Sequence, residues 1–255
     1  MSTFKKFLII DLILLLLIGV IAVLIRTGVI GGDINGAPEP MEEESMTEEE
    51  PSEAETEETS TEEIDPNEWS LILVNPWNKI PDDYFDNPEY GVEIVTTDGG
   101  YEIDARVKED LERMLSDCRG AGHSPVLISG FRTRATQQNL YDTTANKNDT
   151  AYPGTSEHEC GLAVDILEEG YGGDWDNAEK TAQTETQKWL TENCKDYGFI
   201  LRYPQDKEDI TGIVYESWHY RYVGEEHAKK IMESGQCLEE YLGRIDTDKE
   251  KIGSE

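Results

Sequence analysis

From Thr27 to Asn78 the chain carries sixteen Asp or Glu and not one Lys or Arg. The stretch from Glu39 to Asp65 is mostly Glu, Ser, Thr and Pro, with very little to bury. Such a segment cannot offset the entropy of ordering its backbone, roughly 1–2 kcal/mol per residue, and its like charges stretch it further. Residues 27–68 are therefore expected to be a disordered spacer, and any folded core must come from the residues C-terminal to it. A calcium-binding or partner-binding role for the acidic run is the less economical reading.

Ahead of the spacer, the nineteen residues from Phe7 to Ile25 are almost entirely Leu, Ile and Val, interrupted by Asp11, Gly19 and Ala22. A bilayer crossing needs roughly 17–25 apolar residues. Lys5 and Lys6 precede the run and only Arg26 follows it closely, so the positive-inside bias keeps residues 1–6 in the cytoplasm. A cleaved signal peptide is the alternative. Its apolar region usually spans ~7–15 residues and ends at an Ala-x-Ala-like site, which this run lacks, so residues 7–26 are expected to be an uncleaved transmembrane anchor. Asp11 lies near the cytoplasmic end, where a charge costs less than at the bilayer centre.

The remaining stretch, residues 69–245, is one domain of ordinary size, followed by a tail at 246–255. Of the formal net charge of −33, the spacer supplies sixteen negative charges, so the domain is itself acidic and binding to nucleic acid is not expected. All four cysteines, Cys118, Cys160, Cys194 and Cys237, fall in this domain. Outside the cell an even count suggests two disulfides, with three possible pairings. No CxxC pair exists, which argues against a four-cysteine zinc site.

Periodicity places the elements. Val107, Leu111, Met114, Leu115 and Cys118 recur at helical spacing over Asp104–Cys118, and Gly120 with Gly122 ends the run. Val126–Ser129 reads as a strand, Arg134–Tyr141 as a helix, and Leu162–Ile166 as a strand carrying Asp165. Ala182 to Tyr197 has an amphipathic helical pattern closed by Gly198. Phe199–Tyr203 and Ile213–Val223 are strands by their aromatic and β-branched content. A last helix runs from Glu225 to Ser234. Helices and strands alternate without a regular βαβ rhythm, so the expected class is α+β, a mainly antiparallel central sheet flanked by helices.

Two short stretches concentrate the chemistry. Ser156-Glu-His-Glu-Cys-Gly-Leu-Ala-Val-Asp165 holds His158 and Asp165, and Glu216-Ser-Trp-His219 holds Glu216 and His219; two of the four histidines lie here. Two imidazoles and a carboxylate are what a catalytic zinc ion needs if one position is to stay open for water. A further carboxylate can serve as general base. His158 and Asp165 are seven apart, which is no helical pair, so the backbone must turn through Gly161 onto the next strand. In a regular strand Glu216 and His219 would point to opposite faces. For both to face one metal, the strand must start after Glu216 or carry a bulge. Cys160 is a possible fourth ligand, but a thiolate there would close the site.

Ser-x-His-x-x-Gly-x-Ala-x-Asp, followed some fifty residues later by Glu-x-Trp-His-x-Arg-Tyr-Val-Gly, resembles the VanY-type D-alanyl-D-alanine carboxypeptidases. These belong to a set of zinc peptidases that shares a fold with lysostaphin and the hedgehog signalling domain. The likeness runs from about Leu71 to Gly224. It includes Leu73-Val74-Asn75 with Ile80-Pro81-Asp82-Asp83-Tyr84, Ser129-Gly130-Phe131-Arg132, Gln137 to Tyr141, Arg202-Tyr203-Pro204 and Thr211-Gly212-Ile213.

The resemblance implies zinc held by His158, Asp165 and His219, with Glu216 as the general base. Arg132 would stabilise the oxyanion or clamp the substrate's terminal carboxylate, although Phe131 replaces the family's Tyr beside it. Ser156 and Gln137 are candidates for hydrogen bonds to the peptide, and equally for loop capping. Trp218 lines the pocket or belongs to the core. Tyr220 and Tyr222 read as structural, and His123 and His227 as ordinary exposed residues. The implied substrate is a peptidoglycan stem peptide ending in D-Ala, met on the outer side of the membrane. An L,D-carboxypeptidase acting on tetrapeptide stems and a catalytically idle wall-binding module are the alternatives.

Overall fold

The computed structural model describes residues 64–65, 68–147, 150–172 and 177–253. The apolar run and nearly all of the acidic spacer lie outside them. Among the described residues no helix is long and apolar enough to cross a membrane.

Among the described residues a 3₁₀ turn at Trp69–Leu71 comes first, then a short antiparallel pair, β1 (Ile94–Thr96) and β2 (Glu102–Asp104), which leads into helix α1 (Ala105–Gly120). Asp104 starts that helix: its carboxylate accepts from the Arg106 N–H at 2.9 Å and pairs with the Arg106 guanidinium. The apolar stripe of α1 is buried as its spacing predicts, through Val107, Leu111, Met114, Leu115 and Cys118. There follow β3 (Pro125–Ser129), α2 (Arg134–Thr143), a 3₁₀ turn at Glu157–Cys160 and β4 (Ala163–Glu168). After them come α3 (Ala178–Thr181), α4 (Glu185–Asn193), β5 (Phe199–Tyr203), α5 (Glu208–Thr211), β6 (Glu216–Tyr222), α6 (Glu225–Ser234) and α7 (Leu238–Tyr241).

The central sheet has the order β3-β4-β6-β5 and every pairing in it is antiparallel. The α+β expectation holds. Side-chain alternation divides the sheet between two cores. Phe199, Val164, Ile166 and Tyr220 join α1 and α4 on one face. Ile200 and Val223 meet Leu71, Leu73, Ala228, Ile231 and Leu238 on the other. The expected helix from Ala182 to Tyr197 is broken. Thr184 caps α4 by accepting from Gln187 N, and Cys194–Tyr197 tightens to a 3₁₀ turn that ends at Gly198. The strand expected from Ile213 begins only at Glu216, because Gly212 turns the chain with a φ of 74°. Residues beyond Ile245 fold back: Ile252 N–H donates to Pro76 O at 2.8 Å and Trp77 Nε1 to Lys249 O at 3.0 Å.

The disulfide expectation is corrected, since all four cysteines are free and buried. They sit on separate elements and have local partners or local roles. The Cys160 thiol donates to Glu157 O at 2.9 Å, the Cys194 thiol to Thr191 O at 3.9 Å, and Cys237 occupies the N-cap of α7. His227 is corrected as well. It is half-buried and bridges Tyr241 Oη at 2.7 Å to Glu68 at 2.9 Å.

Candidate metal centre

Strand β4 stands in the middle of the site, with Asp165 opposite His219 of β6 and beside Ser129 of β3. Both outer pairings are irregular here. In β5, Leu201 and Tyr203 pair with Tyr220 and Glu216, so β6 takes two extra residues between Glu216 and Tyr220. This is the bulge that the Glu216–His219 spacing demands. It brings Glu216 Oε2 to 3.7 Å from His219 Nδ1. Strand β3 carries its own extra residue between Leu127 and Ser129.

His158 arrives from the 3₁₀ turn Glu157–Cys160. Gly161 ends that turn in the left-handed region at φ 74°, and a Cβ on it would stand 2.9 Å from Ile94 Cδ1 and 3.2 Å from Asp104 N. Only glycine turns the chain onto β4 at this point. His158 Nδ1 lies 2.8 Å from the Gly130 carbonyl. That carbonyl is an acceptor only, so the Nδ1 proton is used there and the Nε2 lone pair faces Asp165 Oδ2 at 3.3 Å. Gly130 is itself packed tightly, since a Cβ on it would meet Glu102 O at 2.4 Å.

His219 is turned the other way. Its Nε2 lies 3.3 Å from Glu157 Oε2, and its Nδ1 lies 3.0 Å from Asp165 Oδ1. One donor atom each from His158, Asp165 and His219 falls within a cluster no more than 4.8 Å across, and all three residues are buried. Two imidazole nitrogens and a carboxylate oxygen at that spacing, with a second carboxylate alongside, match the donor set of a catalytic zinc site. Cys160 is not part of the cluster.

The titrations reflect these surroundings. Burial and the positive Arg132 hold the His158 imidazole down at about 4. Burial also works against a charge on His219, but hydrogen bonds to Asp165 and Glu157 outweigh it and raise that ring to about 9. Burial opposes ionisation of Asp165, yet His158 and His219 hold it well below the usual carboxylate range. Burial pushes Glu216 up to about 7.

A cavity of about 800 Å³ opens over the cluster, and all seven residues expected from the sequence line it: Arg132, Gln137, Ser156, His158, Asp165, Glu216 and His219. Trp218 lines it too, on the pocket side of its two readings. Arg132 donates from Nη1 to Ser129 Oγ at 2.7 Å and from Nε to Gln137 Oε1 at 2.9 Å. Gln137 is in turn fixed to Ala151 O at 2.8 Å, so its first role is to hold Arg132. Tyr220 and Tyr222 are structural, donating to Gln187 and Asp110. The residue missed by sequence reasoning is Glu157. It was legible as the neighbour of His158, but its partners are Arg202 and Arg221, which lie 45 and 64 residues away.

An antiparallel α+β domain with an open cavity over a His–Asp–His cluster and a neighbouring carboxylate defines a mononuclear metallohydrolase. The chain belongs to the VanY D-alanyl-D-alanine carboxypeptidase family, whose sequence profile matches residues 100–225. It is 42% identical over 194 residues to a D-alanyl-D-alanine carboxypeptidase of Enterococcus faecalis, covering 70% of this chain and 67% of that protein. Among solved structures, the zinc complex of a vancomycin-resistance D,D-pentapeptidase VanY from a VanB-type cassette is 42% identical with a TM-score of 0.59. That match covers 69% of this chain and 99% of the other. The LD-carboxypeptidase LdcB is 32% identical, also with a TM-score of 0.59, over 68% of this chain and 86% of its own.

Proposed function

We propose that the chain is a zinc-dependent D-alanyl-D-alanine carboxypeptidase that removes the terminal D-Ala from peptidoglycan stem peptides. The observation that carries this reading is the placement of Glu216 3.7 Å from the ligand nitrogen of His219, in the same cavity as Arg132 and the His158–Asp165–His219 cluster. Zinc bound by these three residues would supply Lewis acidity, lowering the pKa of water to about 7 and polarising the scissile carbonyl.

The protein's own groups do the rest. Glu216, raised to about 7 by burial, is matched to taking a proton at a carboxylate oxygen near neutral pH and returning it to the leaving amine. Ser129 and Gln137 engage Nη1 and Nε of Arg132, which leaves Nη2 to pair with the developing oxyanion or the peptide's terminal carboxylate. Ser156, which lines the cavity, is the candidate for a hydrogen bond to the peptide.

Likeness to LdcB supports a second reading, an L,D-carboxypeptidase using the same metal residues on tetrapeptide stems. Incubating the purified zinc-loaded chain with a pentapeptide ending in D-Ala-D-Ala and with the corresponding tetrapeptide, read by mass spectrometry, separates the two. Loss of one D-Ala from the pentapeptide alone is the expected result. Loss from the tetrapeptide alone would favour the second reading, and intact peptides bound without mass change would point to an idle binding module. The apolar run at residues 7–26 is proposed to anchor the protein with this domain facing the wall. Protease added to intact protoplasts should then remove the domain while sparing a cytosolic marker.

A further inference from the structure

Behind the His–Asp–His cluster runs a buried chain of charges that the proposed reaction does not use. Glu157 Oε2 accepts from His219 Nε2 at 3.3 Å, while its Oε1 accepts from Arg202 Nε and Arg221 Nη1, each at 2.7 Å. Arg202 then gives Nη1 and Nη2 to the two carboxylate oxygens of Glu239 at 2.9 and 2.6 Å, and Glu239 also accepts from Asn75 Nδ2 at 3.0 Å. Arg221 Nη2 donates to the Ser70 and Ile72 carbonyls at 2.9 and 2.8 Å. None of Glu157, Arg202, Arg221 and Glu239 is more than 1% exposed.

Two carboxylates and two guanidinium groups cancel in charge, but taking each out of water still costs several kcal/mol, and apolar replacements of such clusters are often as stable or more so. Stability alone is a weak reason for the chain to exist. Its geometry supplies a better one, because its inner end is a ring nitrogen of a proposed metal ligand. A carboxylate that takes the Nε2 proton leaves the Nδ1 lone pair facing Asp165, and a carboxylate held by two guanidinium groups cannot swing away.

We infer that Glu157 is a positioning residue for His219, and that Arg202, Arg221 and Glu239 hold it in place. The metal centre thereby depends on α7, whose Glu239 lies outside the family match at residues 100–225, and on the opening segment through Asn75, Ser70 and Ile72. The inference rests on His219 being a metal ligand.

The test measures zinc affinity by chelator competition in the full chain and in Glu157→Gln, Glu239→Gln and His219→Ala, with circular dichroism to follow the fold. Imidazole ¹H–¹⁵N correlation spectra of the zinc-loaded parent are recorded alongside. Glu157→Gln should keep its fold and bind zinc about 10–100-fold more weakly. Glu239→Gln, one step further out, should lose a smaller factor. The parent should show an exchange-protected proton on His219 Nε2. Zinc affinity of Glu157→Gln within twofold of the parent overturns the inference. If Glu157→Gln does not fold, the parent spectrum decides, and a proton on Nδ1 overturns it. If the parent takes up no stoichiometric zinc, or His219→Ala binds as well as the parent, the metal-site reading itself fails and the inference goes with it.

Discussion

The His158 imidazole is held by a neutral backbone carbonyl, that of Gly130 at 2.8 Å, whereas His219 is held by a buried carboxylate, that of Glu157 at 3.3 Å. Both mounts use up one ring nitrogen and turn the other toward Asp165. They differ in what they do to the proton. The carbonyl leaves His158 neutral, with its pKa held at about 4 by burial and Arg132. The two carboxylates facing His219 outweigh burial and raise it to about 9. Without metal near pH 8, one ring is ready to ligate and the other carries a proton that must leave. A single donor set can therefore be assembled from one ligand oriented by its backbone neighbour and one oriented by distant charges.

Four experiments probe the difference between the two mounts. The largest effect should come from His219→Ala, which removes a proposed ligand: zinc should be lost on dialysis and D-alanine release should fall to background. Next comes the proton itself. Zinc binding requires neutral His219, so between about pH 5.5 and 6.5, below the pKa of about 7 expected for zinc-bound water, uptake should release about one proton, and apparent affinity should rise about tenfold per pH unit. Isothermal titration in buffers of different ionisation enthalpy reads that proton. No release would mean that His219 is already neutral.

A smaller effect is expected at the other mount. Gly130→Ala places a Cβ 2.4 Å from Glu102 O, and overpacking of this kind costs about 1–3 kcal/mol, visible as a lowered Tm. An unchanged Tm would show that β2 and β3 part easily there. Least of all should follow from reductant. Burial raises the thiols of Cys118 and Cys160 to about 11 and those of Cys194 and Cys237 to about 12. Alkylation at pH 8 should find all four only after denaturation, and dithiothreitol should leave the Tm unchanged.

The same contrast explains what was legible in the sequence. His158, Gly161 and Asp165 lie within eight residues, and the turn that joins them is written in the glycine. Strand β5 and helix α6 match their expected limits, because Gly198 ends the turn before β5 and Gly235 ends α6. The Glu216–His219 step could be read as a demand for a bulge, but not which strand pairing would supply it. Glu157 stayed hidden because a carboxylate's partners across 45 and 64 residues leave no local pattern. The disulfide expectation failed for a related reason. An even cysteine count says nothing of distance, and these thiols sit on separate elements.

In the proposed mechanism His158, Asp165 and His219 hold the metal while Glu216 moves the proton. Metal content and D-alanine release measured on one sample of Glu216→Ala test it most directly. One zinc per chain with turnover lowered about 10²–10⁴-fold is the expected result. Turnover equal to the parent's at full zinc loading would contradict it.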